Sequence, residues 1–253
     1  MITTLILLLL IIVIGTYFQT ATGFGLGIIV TGLATAFGLA ELNFIAAVVS
    51  LVTLVNCLFV LPKSLYNIDW KISIFAGLAI IPGVILGVQL LSYLSDSATS
   101  ILQALLGLMI IISGVSSISK VSQNQEKPSS HISTFSIAGF ASGFTGGLFG
   151  MAGPPLVFHF YRQPFSIVSI RNLLLLLFAC SSASRSLFLW SQDQITNEIL
   201  LLSALAVPLV SITSIIAVKY PIPLKPQSMK KVVFLLLMVL GGYLLIKSFM
   251  IFS

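Results

Sequence analysis

Apolar stretches long enough to cross a bilayer recur along this chain from end to end, separated by short polar connections. They lie near residues 2–40, 43–61, 72–92, 99–119, 133–161, 167–190, 199–218 and 229–250, and a spanning helix needs roughly 17–25 predominantly apolar residues. The pattern predicts an all-α integral membrane protein with about eight hydrophobic segments. Two of them, 2–40 and 133–161, are too long for one simple span. The longest polar segment, Lys120–His131 (KVSQNQEKPSSH), has the Pro, Ser, Gln and Lys of a solvated linker and is too short to hold a core. It divides the chain into a first transmembrane repeat (1–119), a linker (120–131) and a second transmembrane repeat (132–253). The opening MITTLILLLL has no Lys or Arg before it and no matched cleavage pattern, so it reads as an uncleaved membrane segment.

Both long segments contain residues that interrupt helices. The first carries Gly15, Gly23, Gly25, Gly27 and Gly32, and the second carries Gly139, Gly143, Gly146, Gly147, Gly150, Gly153, Pro154 and Pro155. At roughly 1 kcal/mol per Gly and 3 per Pro, an unbroken helix through the second is improbable. A break exposed to lipid would strand backbone N–H and C=O groups, so each break must be buried in protein or line a wet cavity. Each half is therefore expected to combine one glycine-rich broken helix, re-entrant or doubled, with three full spans.

Composition agrees: of 253 residues, 58% are hydrophobic and 7% charged, with a mean hydropathy of +1.15, far from the soluble globular range. Charge adds orientation. The net charge of +6 does not point to nucleic acid, because the basic residues sit singly at segment ends rather than on one face among aromatics. Lys219, Lys225, Lys230 and Lys231 make the most basic loop, which the positive-inside rule assigns to the cytoplasm. If 133–161 enters and returns, the linker with Lys120 and Lys127 is cytoplasmic as well. The loop with Asp193 and Glu198 then lies outside, and so does the N-terminus if 2–40 also doubles back.

The halves resemble each other. Gly27 to Pro82 and Gly153 to Pro208 are both 55 residues, an offset of 126. Equivalent loops exchange sign: Glu41 against Arg162, Lys63 and Lys71 against Asp193 and Glu198, Asp96 against Lys219 and Lys225. That exchange is what an inverted repeat requires. Lys247 is the exception.

The stretch Gly143–Val157 (GFTGGLFGMAGPPLV), followed by Phe165-Ser-Ile-Val-Ser-Ile-Arg171-Asn172, resembles the duplicated signature of the TauE/SafE family of membrane transporters. The likeness covers essentially the whole chain. The first copy, GFGLGIIVTG, departs from it, lacking both the Gly-Gly pair and the terminal Pro. The resemblance implies movement of sulfite, a sulfonate or a related organic anion across the cytoplasmic membrane, and a role for Arg171.

Physics points to the same class of substrate. Two interrupted helices meeting near the midplane would direct half-helix N-termini, each with roughly half a positive charge, at a common point. Glycine lets an oxyanion approach the backbone itself. The candidate substrate-binding residues are Thr22, Gly25, Gly27, Gly146, Gly147, Gly150, Gly153, Arg171, Asn172 and Arg185. Close helix packing is the alternative for Gly139, Gly143 and Gly147, which are spaced every fourth residue. Gln19, Thr20 and Asn56 are secondary polar candidates, and helix–helix hydrogen bonding is the commoner use of such residues. Trp70 and Trp190 flank spans as interface anchors, and His159 sits in an aromatic belt.

Other chemistries find little support. Neither H-E-x-x-H nor G-x-S-x-G occurs, and Cys57 and Cys180 lie apart in apolar runs. No enzyme activity, metal or cofactor is expected. The expected partners are the bilayer and a small anion, with homo-oligomerisation left open. A passive anion channel and a non-transporting membrane anchor or assembly subunit are the alternatives. All six acidic residues fall at segment ends or in the linker, so no span carries the carboxylate of a proton relay.

The charge bias predicts that Gln192 is accessible from outside and Ser129 is not. Single cysteines at these positions in a Cys57→Ser, Cys180→Ser background, labelled in intact cells, check this. Labelling at 129 but not at 192 would overturn the inverted arrangement.

Overall fold

Hydrocarbon-length runs of Leu, Ile, Val and Ala become helices in the computed structural model, which describes residues 2–63, 65, 68–97, 99–118, 131–220 and scattered positions from 238 to 246. The helices are α1 (Ile2–Thr22), α2 (Leu26–Ala36), α3 (Leu42–Val60), α4 (Trp70–Ser97), α5 (Thr99–Ile118), α6 (Ile132–Phe149), α7 (Gly153–Phe160), α8 (Ile167–Ser191) and α9 (Asn197–Lys219). Among the described residues there is no strand, and α1, α3, α4, α6, α8 and α9 are long and apolar enough to cross a membrane. Nearly all of the predicted linker and most of the expected segment 229–250 lie outside the described residues.

Polar side chains mark where several helices begin. The hydroxyls of Ser166 and Thr196 accept from the N–H groups of Ser169 (3.1 Å) and Ile199 (3.4 Å), starting α8 and α9. Asp69 Oδ1 accepts from Ile72 N–H at 3.2 Å ahead of α4. Such caps satisfy N–H groups that a helix start leaves without a partner. The outer surface stays apolar: Ile6, Leu10 and Ile14 on α1 and Leu201, Leu205 and Ile212 on α9 are all exposed. Bilayer, not water, is the solvent such faces suit. Trp70 and Trp190 are exposed at helix ends, as interface anchors would be.

Among the described residues the closest packing is between α4 and α6. A Cβ added at Gly139, Gly143 or Gly147 would strike the carbonyl oxygens of Ala76, Ile80 and Val84 in turn. One added at Gly83 or Gly87 would strike those of Phe140 and Phe144. Residue numbers rise together on both sides, so the two helices run parallel with their backbones in contact. Parallel α4 and α6 put the starts of both helices at the same end of the bundle. α3 and α8 instead run antiparallel, with Cys57 Sγ donating to Leu175 O (3.4 Å) and Ser50 accepting from Arg185 (3.4 Å).

Both long segments double back. The α6–α7 segment returns to where it began, placing the Phe160 ring 5.6 Å from that of Phe135. In the other, Gly15 of α1 packs on Leu26 and Val30 of α2.

Gly143→Leu should drive α4 and α6 apart and destabilise the protein by about 1–3 kcal/mol or more, visible as a lower melting temperature in detergent. Gly242→Ala, where an added Cβ meets nothing within 4 Å, should leave it unchanged. Equal melting of both variants would rule out backbone contact as the reason for the glycine spacing.

Candidate functional site

The site grows from the two interruptions. α1 stops at Gly23, whose φ of +88° suits glycine and whose N–H donates to Gln19 O at 2.7 Å. Thr22 Oγ1 lies 2.8 Å from Phe18 O and 2.6 Å from Phe24 O, holding the turn together. α2 then starts from Gly25, whose carbonyl accepts from Ile29 N–H at 2.8 Å. The N–H groups of Leu26, Gly27 and Ile28 precede the first intrahelical bond and have no acceptor within the helix.

The second interruption is built differently. Gly150 ends α6 in the left-handed conformation, with φ +68° and its N–H on Gly146 O at 2.9 Å. α7 begins Gly153-Pro154-Pro155. Two of its first four residues therefore have no N–H to offer. Gly153 and Leu156 are the donors that remain in that turn.

These interruptions touch. A Cβ on Gly27 would lie 2.7 Å from Gly150 O and 3.1 Å from Met151 Cα. Thr31 Oγ1 donates to Phe149 O at 2.9 Å, tying α2 to the end of α6. Ser142 Oγ donates to Ala152 O within the second interruption. Between the breaks lies a small, partly open cavity. Gly25, Gly27 and Ile28 of the first break line it, with Gly146, Gly150, Met151, Ala152 and Gly153 of the second. α1 adds Gln19, α3 adds Ser50 and Thr53, and α8 adds Phe178, Ser181 and Ser182. No lining residue is acidic. The walls thus offer peptide N–H groups, hydroxyls, an amide and a few apolar surfaces, a set suited to a small oxyanion.

Five of the sequence candidates line this cavity: Gly25, Gly27, Gly146, Gly150 and Gly153. The others sit around it. Thr22 braces the first turn. Gly147 faces α4, while its carbonyl accepts from Arg185 Nε at 3.1 Å. Arg185 is 1% exposed and also donates from Nη1 to Ser50. Asn172 is buried on α8 outside the lining. Arg171 is half-buried and donates from Nε (2.9 Å) and from Nη2 to Thr20 O, one of the carbonyls that the end of α1 leaves free. The α-carbon of Arg171 also packs directly on Gly23.

A buried polar node links these groups. Gln19 donates to Asn56 Oδ1 (3.1 Å), and Asn56 donates to Thr20 Oγ1 (2.7 Å) and Ser214 Oγ (2.8 Å), joining α1, α3 and α9. Helix–helix bonding is the use made of Thr20 and Asn56, while Gln19 also reaches the cavity. His159 packs edge-on against Phe135, with ring centroids 4.7 Å apart, and lies outside the lining. Among the described residues no group of three or more His, Cys, Asp or Glu is assembled that could hold a metal ion. Of the polar residues of α3, Asn56 was named from sequence but Ser50 and Thr53 were not. Ser50, Thr53 and Asn56 recur at every third position of an apolar helix, a polar stripe that marks an inward face.

Comparison with known proteins adds to this geometry. Residues 7–244 match the family described as sulfite exporter TauE/SafE. A probable sulfite/organosulfonate exporter TauE of Cupriavidus necator is 42% identical over 234 residues, covering 92% of this chain and 91% of that protein. No solved structure gives a significant match.

Two glycines should fail in different ways. A Cβ at Gly153 meets only Ile28 Cδ1 at 3.4 Å and Phe178 Cζ at 3.8 Å, so Gly153→Val should fold and obstruct the cavity. Gly27→Ala should instead push the two breaks apart and lower the melting temperature. Anion flux in proteoliposomes beside thermal melting separates the two. A fully active Gly153→Val would show that the cavity is not the route.

Proposed function

This chain belongs to the sulfite exporter TauE/SafE family, and from that premise we propose that it exports sulfite, a sulfonate or a related small organic anion across the cytoplasmic membrane. The observation that carries the reading is the meeting of two broken helices around one cavity, with first-turn N–H groups from both. The anion binds there to backbone N–H groups, the hydroxyl of Thr53 on α3 and the hydroxyls of Ser181 and Ser182 on α8. Arg185 supplies a buried positive charge, and Arg171 holds the end of α1 in place. Arg171→Lys should weaken binding even though charge is kept, because Lys lacks the planar fork that reaches Thr20 O through two nitrogens.

We further propose that the two halves form an inverted repeat with the cavity at its centre, so that rocking of one half against the other opens it alternately to each side. Three features support this. The mid-helix prolines Pro82 and Pro208 fall in α4 and α9, the same place in each half. α3 and α8, which would be related by the repeat, run antiparallel. Each half opens with a doubled-back broken helix. Transport without chemistry is the activity such a site serves.

Export of an anion needs no proton relay. A negative interior favours outward movement by about 2.3 kcal/mol per charge per 100 mV, roughly fiftyfold at equilibrium. Proteoliposomes loaded with sulfite, with a potassium diffusion potential and a pH gradient imposed separately, test this. Saturable flux that follows the potential is expected. Flux that follows the pH gradient and ignores the potential would overturn uncoupled export, and non-saturating ohmic flux would mark a channel.

A further inference from the structure

Arg185 is the largest of the fully buried side chains, and the partners of its guanidinium are neutral: the Gly147 carbonyl and the Ser50 hydroxyl. It stands one helical turn past Ser181 and Ser182, which line the cavity, and its partner Ser50 lines the cavity from α3. No acidic residue comes from a span interior. Glu41 immediately precedes α3, Asp69 precedes α4, Asp96 is in the last turn of α4, Asp193 and Glu198 lie at the α8–α9 turn, and Glu126 lies outside the described residues. An arginine keeps its proton in proteins. Buried without a carboxylate, it leaves a positive charge that the protein itself does not balance.

Two further sources of positive potential face the same space. The N-termini of α2 and α7 each carry up to roughly half a charge. The C-termini of α1 and α6 end at the same breaks with opposite partial charges, so the net positive charge around the cavity is roughly that of Arg185, and the lining holds no acidic side chain. Ile28, Met151 and Phe178 occupy part of the wall, which limits the water available to screen it.

Resting on the exporter reading, we propose that the cavity takes its anion in doubly charged form, with Arg185 as the fixed counter-charge that sets this preference. The sulfite dianion, or a sulfonate bearing a second acidic group, is favoured over a singly charged sulfonate of the same size. Arg185 acts across Ser50 through its field. The hydroxyl of Ser50 is already engaged with Ala46 O (2.9 Å) and Arg185, so it is not the group that reads the second charge.

The test is binding to the purified full chain of sulfoacetate, a dianion, against its near-isosteric amide sulfoacetamide, a monoanion. Wild type should bind sulfoacetate at least about tenfold more tightly, as an interaction between charges a few ångströms apart at intermediate dielectric allows. Sulfite, which gives up its second proton near neutral pH, should bind more tightly as the buffer moves from mildly acidic to mildly alkaline. Sulfoacetamide should not. Arg185→Gln should erase the preference while still binding sulfoacetamide, and Arg185→Lys should keep most of it. Equal wild-type affinities would overturn the proposal without needing any variant to fold. Loss of both ligands alike in a folded Arg185→Gln protein would reduce Arg185 to holding Gly147 and Ser50 in place. Sulfite flux without a charge preference sinks only this inference, whereas no binding and no flux with any of these anions sinks the exporter reading with it.

Discussion

Peptide groups left unpaired at membrane depth are the constraint on which this structure depends. Two helices stop and restart where hydrocarbon would otherwise be, and lipid supplies no hydrogen bonds. The solution is unequal on the two sides of the peptide. Carbonyls at the breaks are answered from within the protein: Phe24 O by Thr22, Phe149 O by Thr31, Ala152 O by Ser142 and Thr20 O by Arg171. Gly27 and Ile28 of α2 and Gly153 of α7, which line the cavity, have first-turn N–H groups with no acceptor inside their own helices. A site whose acceptors are already satisfied and whose donors are not has a built-in preference for anions.

The halves achieve this with different materials. On one side α6 lies against α4 with backbones touching over the run from Gly139 to Gly147. On the other, α1 is joined to α3 and α9 through the Gln19, Asn56, Thr20 and Ser214 hydrogen bonds. Interlocked backbones resist sliding because every shift meets a carbonyl. Hydrogen bonds between side chains can exchange partners. The two broken helices are thus held with unequal stiffness, even though both line one cavity.

Much of this was legible in the sequence because glycine and proline leave a plain signal in a chain otherwise rich in leucine and isoleucine. The positions of both breaks, the doubling back of 133–161 and five cavity-lining glycines follow from where those residues cluster. The repeat every fourth residue at Gly139, Gly143 and Gly147 also announced packing, and packing is where the structure uses it. Arg171 was harder. Its guanidinium meets a main-chain carbonyl 151 positions away, and a carbonyl has no residue type by which to recognise it. Ser50 and Thr53 were passed over for another reason: single hydroxyls in an apolar helix cost little and carry weak signal one at a time, so only their spacing with Asn56 reveals the face they share.

The buried arginine has a consequence for how the chain is made. α8 must leave the translocation machinery before its neighbours can surround Arg185, and at that moment the charge faces lipid or the insertion pore at an apparent cost of about 2.5–3.5 kcal/mol for a central position. The unbroken run Leu173–Leu177 lies just upstream in the same helix. At about −0.3 to −0.6 kcal/mol for each leucine near the centre of a span, those five residues offset a large part of that cost. The leucine run, which contributes nothing to the cavity, thus helps a helix carrying this charge to enter the membrane.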